Sequence, residues 1–155
     1  MTAGDIVERL IPLTRRGTAS TLAERVRAWT REKFLVPIEG WGQGPGKHAR
    51  YDPDVIYLAA VLNTLAERGL QVSQQRKLVE AFSAFNSLQN WKQSRAKGQD
   101  IKLLLMVSQL DGEQISIATQ TDRRLNAPVQ LPDDDFSVVI NLSRIWAGLD
   151  KGGEV

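Results

Sequence analysis

The sequence contains no cysteine, and its only histidine is His48. Without cysteine the protein can form neither disulfides nor thiolate metal sites, so a reducing compartment such as the cytoplasm is expected. A zinc site would need carboxylates almost alone, and a Ser-His-Asp triad would depend on a histidine in the glycine-rich segment 44–48. The sequence also offers no phosphate-binding glycine loop and no paired nucleophile and base. We therefore expect no metal, no other cofactor and no enzymatic activity.

Long apolar runs are absent as well. No stretch approaches the roughly 20 residues that a membrane helix requires. Residues 1–5 lack the basic and then apolar order of a signal peptide. These absences predict a soluble, cytoplasmic protein with no membrane partner.

The charged residues are distributed unevenly, although the net charge is only +2. Residues 1–51 hold nine Lys and Arg against five Asp and Glu, residues 52–98 six against four, and residues 99–155 five against nine. We interpret the acidic run 133–135 as a loop charge cluster rather than a metal site. A basic front and an acidic rear are typical of a module that faces nucleic acid, followed by one that avoids phosphate. Chance scatter of surface charge is the alternative.

Helical periodicity marks the first part of the chain. Apolar positions within residues 5–13 predict a short amphipathic helix that Pro12 ends, and residues 14–18 predict a turn. Thr21 and Glu24 have capping-box spacing, so a second helix is predicted to begin there. The apolar residues that share one face of this second helix are Leu22, Val26 and Trp29.

An extended segment and a third helix are predicted to follow. Residues 36–51 indicate a two-stranded ribbon around a glycine-rich loop, with a basic second strand. Asp52 and Pro53 are residue types that favour an N-cap and a first helical position. The third helix is expected to run to about Arg68, because Gly69 supplies a C-terminal stop.

The rest of the chain predicts one long helix and a small sheet. A fourth helix, capped by Ser73, is expected to continue for almost twenty residues to Trp91, followed by a polar linker at 92–100. Asp111 and Gly112 form a hairpin signal. The strands predicted on either side of this turn and beyond it are 101–107, 114–119 and 136–142, and a short helix is predicted at 143–150.

These patterns predict an α+β fold in three parts. Residues 1–72 have the order of a winged helix-turn-helix: helix, turn, helix, ribbon and helix. Residues 73–98 form an amphipathic connecting or dimerisation helix with its linker. Residues 99–155 form a small α+β module for dimerisation or sensing.

Three segments resemble the MerR family of bacterial transcription regulators. The segment 27–37, RAWTREKFLVP, is similar to the family's second helix with the apolar pair and proline that follow it. RYDPDV at 50–55 is similar to the junction before its third helix, and LAERGLQVS at 65–73 to the end of that helix. The resemblance covers residues 20 to about 80. It implies sequence-specific DNA binding, with the second helix in the major groove and a basic wing on the backbone.

The resemblance also implies roles for individual residues. Arg27 is expected to contact a phosphate, Trp29 to be a core and positioning residue, and Arg50 with Tyr51 to hold the wing against the DNA backbone. Tyr51 could equally pack under the wing. The residues themselves point to Arg25, expected to be exposed near the start of the second helix, as the base reader. The predicted DNA-binding residues are Arg15, Arg16, Thr21, Arg25, Arg27, Lys47, His48, Arg50 and Tyr51.

We expect a homodimer bound to double-stranded DNA, because helix-turn-helix proteins commonly read half-sites as symmetric pairs. RNA polymerase or another protein would be a further partner of a regulator located at the nucleoid. Two alternatives stay open: a phage or mobile-element excisionase-like architectural factor that bends DNA, and a protein-interaction adaptor. The predicted dimer contacts are an apolar stripe on the fourth helix, formed by Phe82, Phe85, Leu88 and Trp91.

Overall fold

The computed structural model describes residues 1–39, 49–84, 86–108, 114–121 and 136–151. These ranges are mostly helical and hold one small antiparallel sheet, which confirms the α+β class. By internal contacts the chain divides into two units, Met1–Arg76 with Ile145–Val155, and Lys77–Arg144. The elements in chain order are α1 (Ala3–Leu10), a 3-10 turn (Ile11–Leu13), α2 (Ala19–Arg31), α3 (Val55–Glu67), α4 (Val72–Ala84), α5 (Ser87–Ala96), β1 (Ile101–Ser108), β2 (Gln114–Thr121), β3 (Phe136–Asn141) and α6 (Leu142–Lys151).

The core of the first unit is formed by α1, α2 and α3, which contact one another pairwise. Each helix contributes apolar side chains at helical spacing, and these are removed almost completely from water. Burial of each large aliphatic or aromatic side chain stabilises the fold by about 1.5–3 kcal/mol. On these three helices the side chains at most 1% exposed are Ile6, Leu10, Leu22, Val26, Trp29, Ile56, Ala59, Val61, Leu62 and Leu65.

Both ends of α2 have defined capping structures. The predicted start at Thr21 is wrong by one turn, because Thr18 is the N-cap and its hydroxyl accepts from the Thr21 backbone N–H. At the other end Lys33 adopts a left-handed φ of 62°. There the Lys33 N–H donates to the Thr30 carbonyl and the Phe34 N–H to the Trp29 carbonyl, which is a Schellman ending. The chain therefore turns sharply at the end of α2.

α3 begins slightly later than the sequence predicts. Its N-cap is Asp54 rather than Asp52, and the Asp52 carboxylate instead accepts from the Asp54 backbone N–H at 2.8 Å. This local hydrogen bond forms the turn before the helix. The predicted stop is confirmed, because Gly69 adopts a φ of +92° directly after the C-cap Arg68.

The base of the predicted ribbon is paired within the first unit. The Arg50 N–H donates to the Glu39 carbonyl at 2.9 Å, and the Ile38 N–H donates to the Arg50 carbonyl at 2.7 Å. Thr2 forms an antiparallel bridge with Arg50 on the other side. We call these paired residues the ribbon base. The glycine-rich loop, residues 40–48, lies outside the described residues.

The predicted long fourth helix is wrong, because the segment forms two helices, α4 and α5. Asn86, the N-cap of α5, adopts a left-handed conformation with φ 49° and ψ 37°. Asparagine is one of the few non-glycine residues that enter this region readily. The polar stretch expected to be a linker from residue 92 is helical up to Ala96.

The second unit contains a three-stranded antiparallel sheet in the order β2-β1-β3. Ile101 pairs with Thr121 on β2, and Lys102 pairs with Asn141 on β3, so β1 is central. The Ile101 N–H also donates to the Ser143 hydroxyl at 2.8 Å. All three predicted strands are confirmed, and the predicted turn at 111–112 lies outside the described residues.

The last helix, α6, is divided between the two units. Its residues from Ile145 onward group with the first unit. Trp146 is fully buried, and its ring meets the Tyr57 ring edge-on at 5.1 Å between centroids. Its indole N–H donates to the Tyr57 carbonyl at 3.4 Å. The C-terminal helix, expected to complete a separate rear module, therefore packs on α3.

Candidate nucleic-acid interface

The outer face of α2 carries two arginines. Ser20, Glu24, Arg27 and Arg31 are spaced four, three and four residues apart, so they lie on one side of the helix, and all are exposed. We call these four residues the outer face. Among the described residues neither guanidinium has an ion-pair partner. Because the opposite side of α2 is buried in the core, the outer face is held rigidly toward solvent.

The turn before α2 carries two more exposed arginines, Arg15 and Arg16. Their backbone N–H groups both donate to one carboxylate oxygen of Glu67, at 2.8 and 2.9 Å. Glu67 is the last residue of α3, so the third helix fixes the backbone of this turn. The two guanidinium groups have no ion-pair partner within the described ranges.

Thr21, predicted to contact DNA, takes part in helix capping. Its hydroxyl accepts from the Thr18 N–H at 3.4 Å, and the two hydroxyls lie 3.3 Å apart. Gly17 precedes the cap with a φ of +113°, and a Cβ added there would lie 3.3 Å from the Thr21 side chain. Thr21 therefore holds the entry to α2 and is half-buried.

Arg25 is not the exposed residue that the sequence predicts. It is half-buried, and its Nη1 donates to the Asn63 Oδ1 at 2.6 Å. Asn63 is only 2% exposed, and its amide in turn donates to the Thr14 hydroxyl at 3.1 Å. Arg25 thus links α2 to α3 instead of joining the outer face. The reason is its position on the flank of α2, beside the one polar side chain buried in α3.

An open groove of about 320 Å³ runs along the same flank of α2. Arg25, Ala28 and Trp29 line it, together with Gln71 and Gln75 near the start of α4. Glu24 of the outer face lines the same groove, so the groove adjoins the outer face and Arg25 borders it from the flank of α2.

Trp29 is 1% exposed, which confirms its predicted place in the core. Its indole N–H donates to Gln75 Oε1 at 2.8 Å, and the Gln75 amide donates to the Leu70 carbonyl at 2.9 Å. Gln75 is itself 1% exposed, so both of its polar atoms are satisfied inside the protein. This buried network fixes the position of α2 relative to the start of α4.

Tyr51 packs beneath the ribbon base and is not available to DNA. It is 2% exposed, and its hydroxyl lies 2.7 Å from the Thr30 hydroxyl of α2. Its place among the predicted contact residues is corrected by this burial. Arg50, the neighbouring residue, is exposed and has no ion-pair partner within the described ranges. Lys47 and His48 lie outside the described residues.

Two of the predicted dimer contacts are covered within the chain. Phe82 and Trp91 are 4% and 2% exposed, and their rings meet edge-on at 5.0 Å between centroids. In a continuous helix, nine residues would separate their backbones by about 13 Å, so the break at Asn86 is what brings them together. Leu88 is half-buried, and Phe85 lies outside the described residues. The expected exposed stripe is therefore wrong for Phe82 and Trp91.

Several residues that shape this surface were not among the predicted DNA-binding residues. Arg31, Glu24 and Ser20 were detectable, because their spacing from Arg27 matches the helical repeat. The sequence does show that Asn63 and Glu67 are unusual, since they are polar residues four positions apart in a largely apolar segment. What they contact could not be read from spacing.

The described structure thus defines a small α+β protein with a basic outer face on α2 and basic residues in the preceding turn. No protein-family model and no curated protein matches the sequence. Within the described ranges no helix is long and apolar enough to span a membrane. In the same ranges no three histidine or acidic side chains converge as metal ligands would.

Proposed function

We propose that the protein is a sequence-specific DNA-binding transcription regulator of the MerR-like winged helix-turn-helix type. The observation that carries the proposal is the outer face of α2, where Arg27 and Arg31 are exposed and have no acidic partner among the described residues. The turn that precedes the helix adds Arg15 and Arg16, and the ribbon base adds Arg50.

The dimensions of α2 support this proposal. A helix of 13 residues is about 20 Å long and fits a major groove about 12 Å wide. Its buried side rests on α1 and α3, so it can enter a groove without losing its packing. Arginines on the outer face and in the turn then reach phosphates, which position the helix while base edges determine sequence choice.

The first prediction is that duplex DNA binding weakens steeply with salt. Each phosphate contact contributes about −0.9 to the slope of log K against log salt, so the five exposed arginines predict a slope of about −4.5. The measurement is fluorescence anisotropy with a labelled duplex between low and physiological salt. Arg27→Ala with Arg31→Ala should flatten the slope by about 2, while Arg144→Ala on α6 should leave it unchanged.

A flat salt response would reject DNA binding and favour the protein-interaction adaptor. One observation favours that alternative: Ile38 of the ribbon base and Val36 just before it are 67% and 59% exposed. Apolar side chains of this size in water are typical of a protein contact surface when they cluster.

An architectural factor would also bind DNA with a steep salt dependence, but it would bend the duplex. Energy transfer between dyes at the two duplex ends would reveal the bend.

A further inference from the structure

Glu24 is the only acidic residue of the outer face. It lies one helical turn from both Ser20 and Arg27, and it is exposed. Its carboxylate forms no hydrogen bond or ion pair among the described residues, not even with Arg27 three positions away. Glu67 accepts two backbone N–H groups, whereas Glu24 makes no polar contact among the described residues and lines the groove beside Arg25.

A carboxylate on a helix that enters DNA is repelled by the phosphates. A hydrogen bond that the carboxylate accepts from a base edge offsets this repulsion. In the major groove thymine and guanine present acceptors, and adenine presents its amino group beside the N7 acceptor. Cytosine presents the N4 amino group without a neighbouring acceptor of its own, so it is the base that suits a carboxylate.

We propose that Glu24 selects a cytosine in each half-site, by accepting a hydrogen bond from the cytosine N4 amino group. This inference rests on the proposed function, because it requires α2 to lie in the major groove. In this proposal Glu24 distinguishes between base pairs, and the arginines around it supply affinity for DNA. The preferred half-site then contains a C·G pair where the middle of the outer face meets the groove.

The test is selection from a randomised duplex library, with the full-length protein and two variants of Glu24. The parent should enrich one position in cytosine. Glu24→Gln should change that preference to adenine, since a glutamine amide pairs with adenine N6 and N7. Glu24→Ala should lose the preference. Glu8→Gln on α1, an exposed acid outside the outer face, should select the same site as the parent.

Affinities then separate base reading from simple charge repulsion. For Glu24→Ala we expect binding to the selected site to weaken about tenfold, while binding to unrelated duplexes strengthens. If affinity rises equally for every duplex, or the parent selects no cytosine, the inference is overturned and the proposed function stands. If the parent binds no duplex at any salt concentration, both are overturned. Because Glu24 is exposed, equal unfolding temperatures would verify that the variants fold.

Discussion

Arg25 and Arg27 are two residues apart and have opposite surroundings. Arg25 donates to the buried Asn63, whereas Arg27 projects from the outer face without an ion-pair partner in the described ranges. The same residue type therefore has two roles in one helix, and only the direction of each side chain distinguishes them. An arginine that satisfies a buried amide contributes to folding, while an exposed one is available to a ligand.

Substitution of Arg25 should mainly affect stability, and substitution of Arg27 should mainly affect DNA binding. Arg25→Ala leaves the Asn63 carbonyl oxygen without its partner, which should lower the free energy of unfolding by about 1–3 kcal/mol. Arg27→Ala should leave stability within about 0.5 kcal/mol of the parent and weaken DNA binding almost equally across sequences. Urea unfolding and anisotropy titrations measure the two effects. Loss of discrimination at one base pair in Arg25→Ala, with stability unchanged, would restore Arg25 as a base reader.

At the scale of elements, α3 holds the turn that precedes α2. Glu67 at the end of α3 accepts from two backbone N–H groups of that turn, and Asn63 accepts from Arg25 one turn earlier. The apolar residues of α3 pack in the core, while these two polar residues fix the approach to the outer face. The third helix thereby determines where the exposed arginines lie.

Glu67 should therefore control the order of the turn. In Glu67→Ala the Arg15 and Arg16 amides lose their acceptor, so their hydrogen exchange should become faster and stability should fall by about 1 kcal/mol. Glu67→Gln keeps an acceptor oxygen and removes only the charge, so it should retain slow exchange. Exchange measured by NMR distinguishes the two variants. Equal exchange rates in Glu67→Ala and the parent would show that the turn is ordered by other contacts.

At the scale of the whole molecule, the two ends of the chain contribute to one core. Trp146 is fully buried on Tyr57, although 89 positions separate the two residues. Gly148 in the same helix approaches Leu13 closely, since a Cβ added there would lie 2.5 Å from a Leu13 methyl carbon. The helical first unit is thus completed by residues that follow the sheet.

Trp146→Ala should destabilise the first unit strongly. Truncation of a buried tryptophan typically costs about 3–5 kcal/mol, because apolar contacts are lost and a cavity remains. The measurement is thermal unfolding followed by the helical circular-dichroism signal, because the first unit is largely helical. As a control, Ala147→Ser alters an exposed position of α6 and should change stability little. If Trp146→Ala unfolds like the parent, the α6 contact is dispensable.

The homodimer stays a prediction, and its interface needs a new location. Phe82 and Trp91 cover each other within the chain, so they leave little apolar area for a partner. The strands between Ile101 and Ile117 are the alternative, because β2 is an edge strand of the sheet and has no strand partner on its outer side among the described residues. Sedimentation of the parent should give the mass of a dimer. A parent that sediments as a monomer contradicts the prediction.

Local patterns were sufficient for most of the elements. The helices α1 to α3 and the three strands follow from the spacing of apolar residues, and the stop at Gly69 follows from its tolerance of positive φ. The asymmetry of charge along the chain is likewise a property of the sequence alone. Periodicity, turn propensity and composition all act over a few residues, which is why they can be read without a fold.

Only the tertiary structure decided which side chains are exposed. Arg25 meets Asn63 across 38 positions and Trp146 meets Tyr57 across 89, and no local pattern encodes these distances along the chain. The break between α4 and α5 was likewise not predictable from local sequence. Asparagine can adopt the left-handed conformation of Asn86 but does not always do so, and here that conformation accompanies the contact between Phe82 and Trp91. The sequence by itself determined the approximate places of α1 to α3, of the three strands and of the charges along the chain. Whether a charged or aromatic side chain is buried depends on helices and strands that are distant in sequence and pack against it. Only the tertiary structure could therefore show which of these side chains are buried.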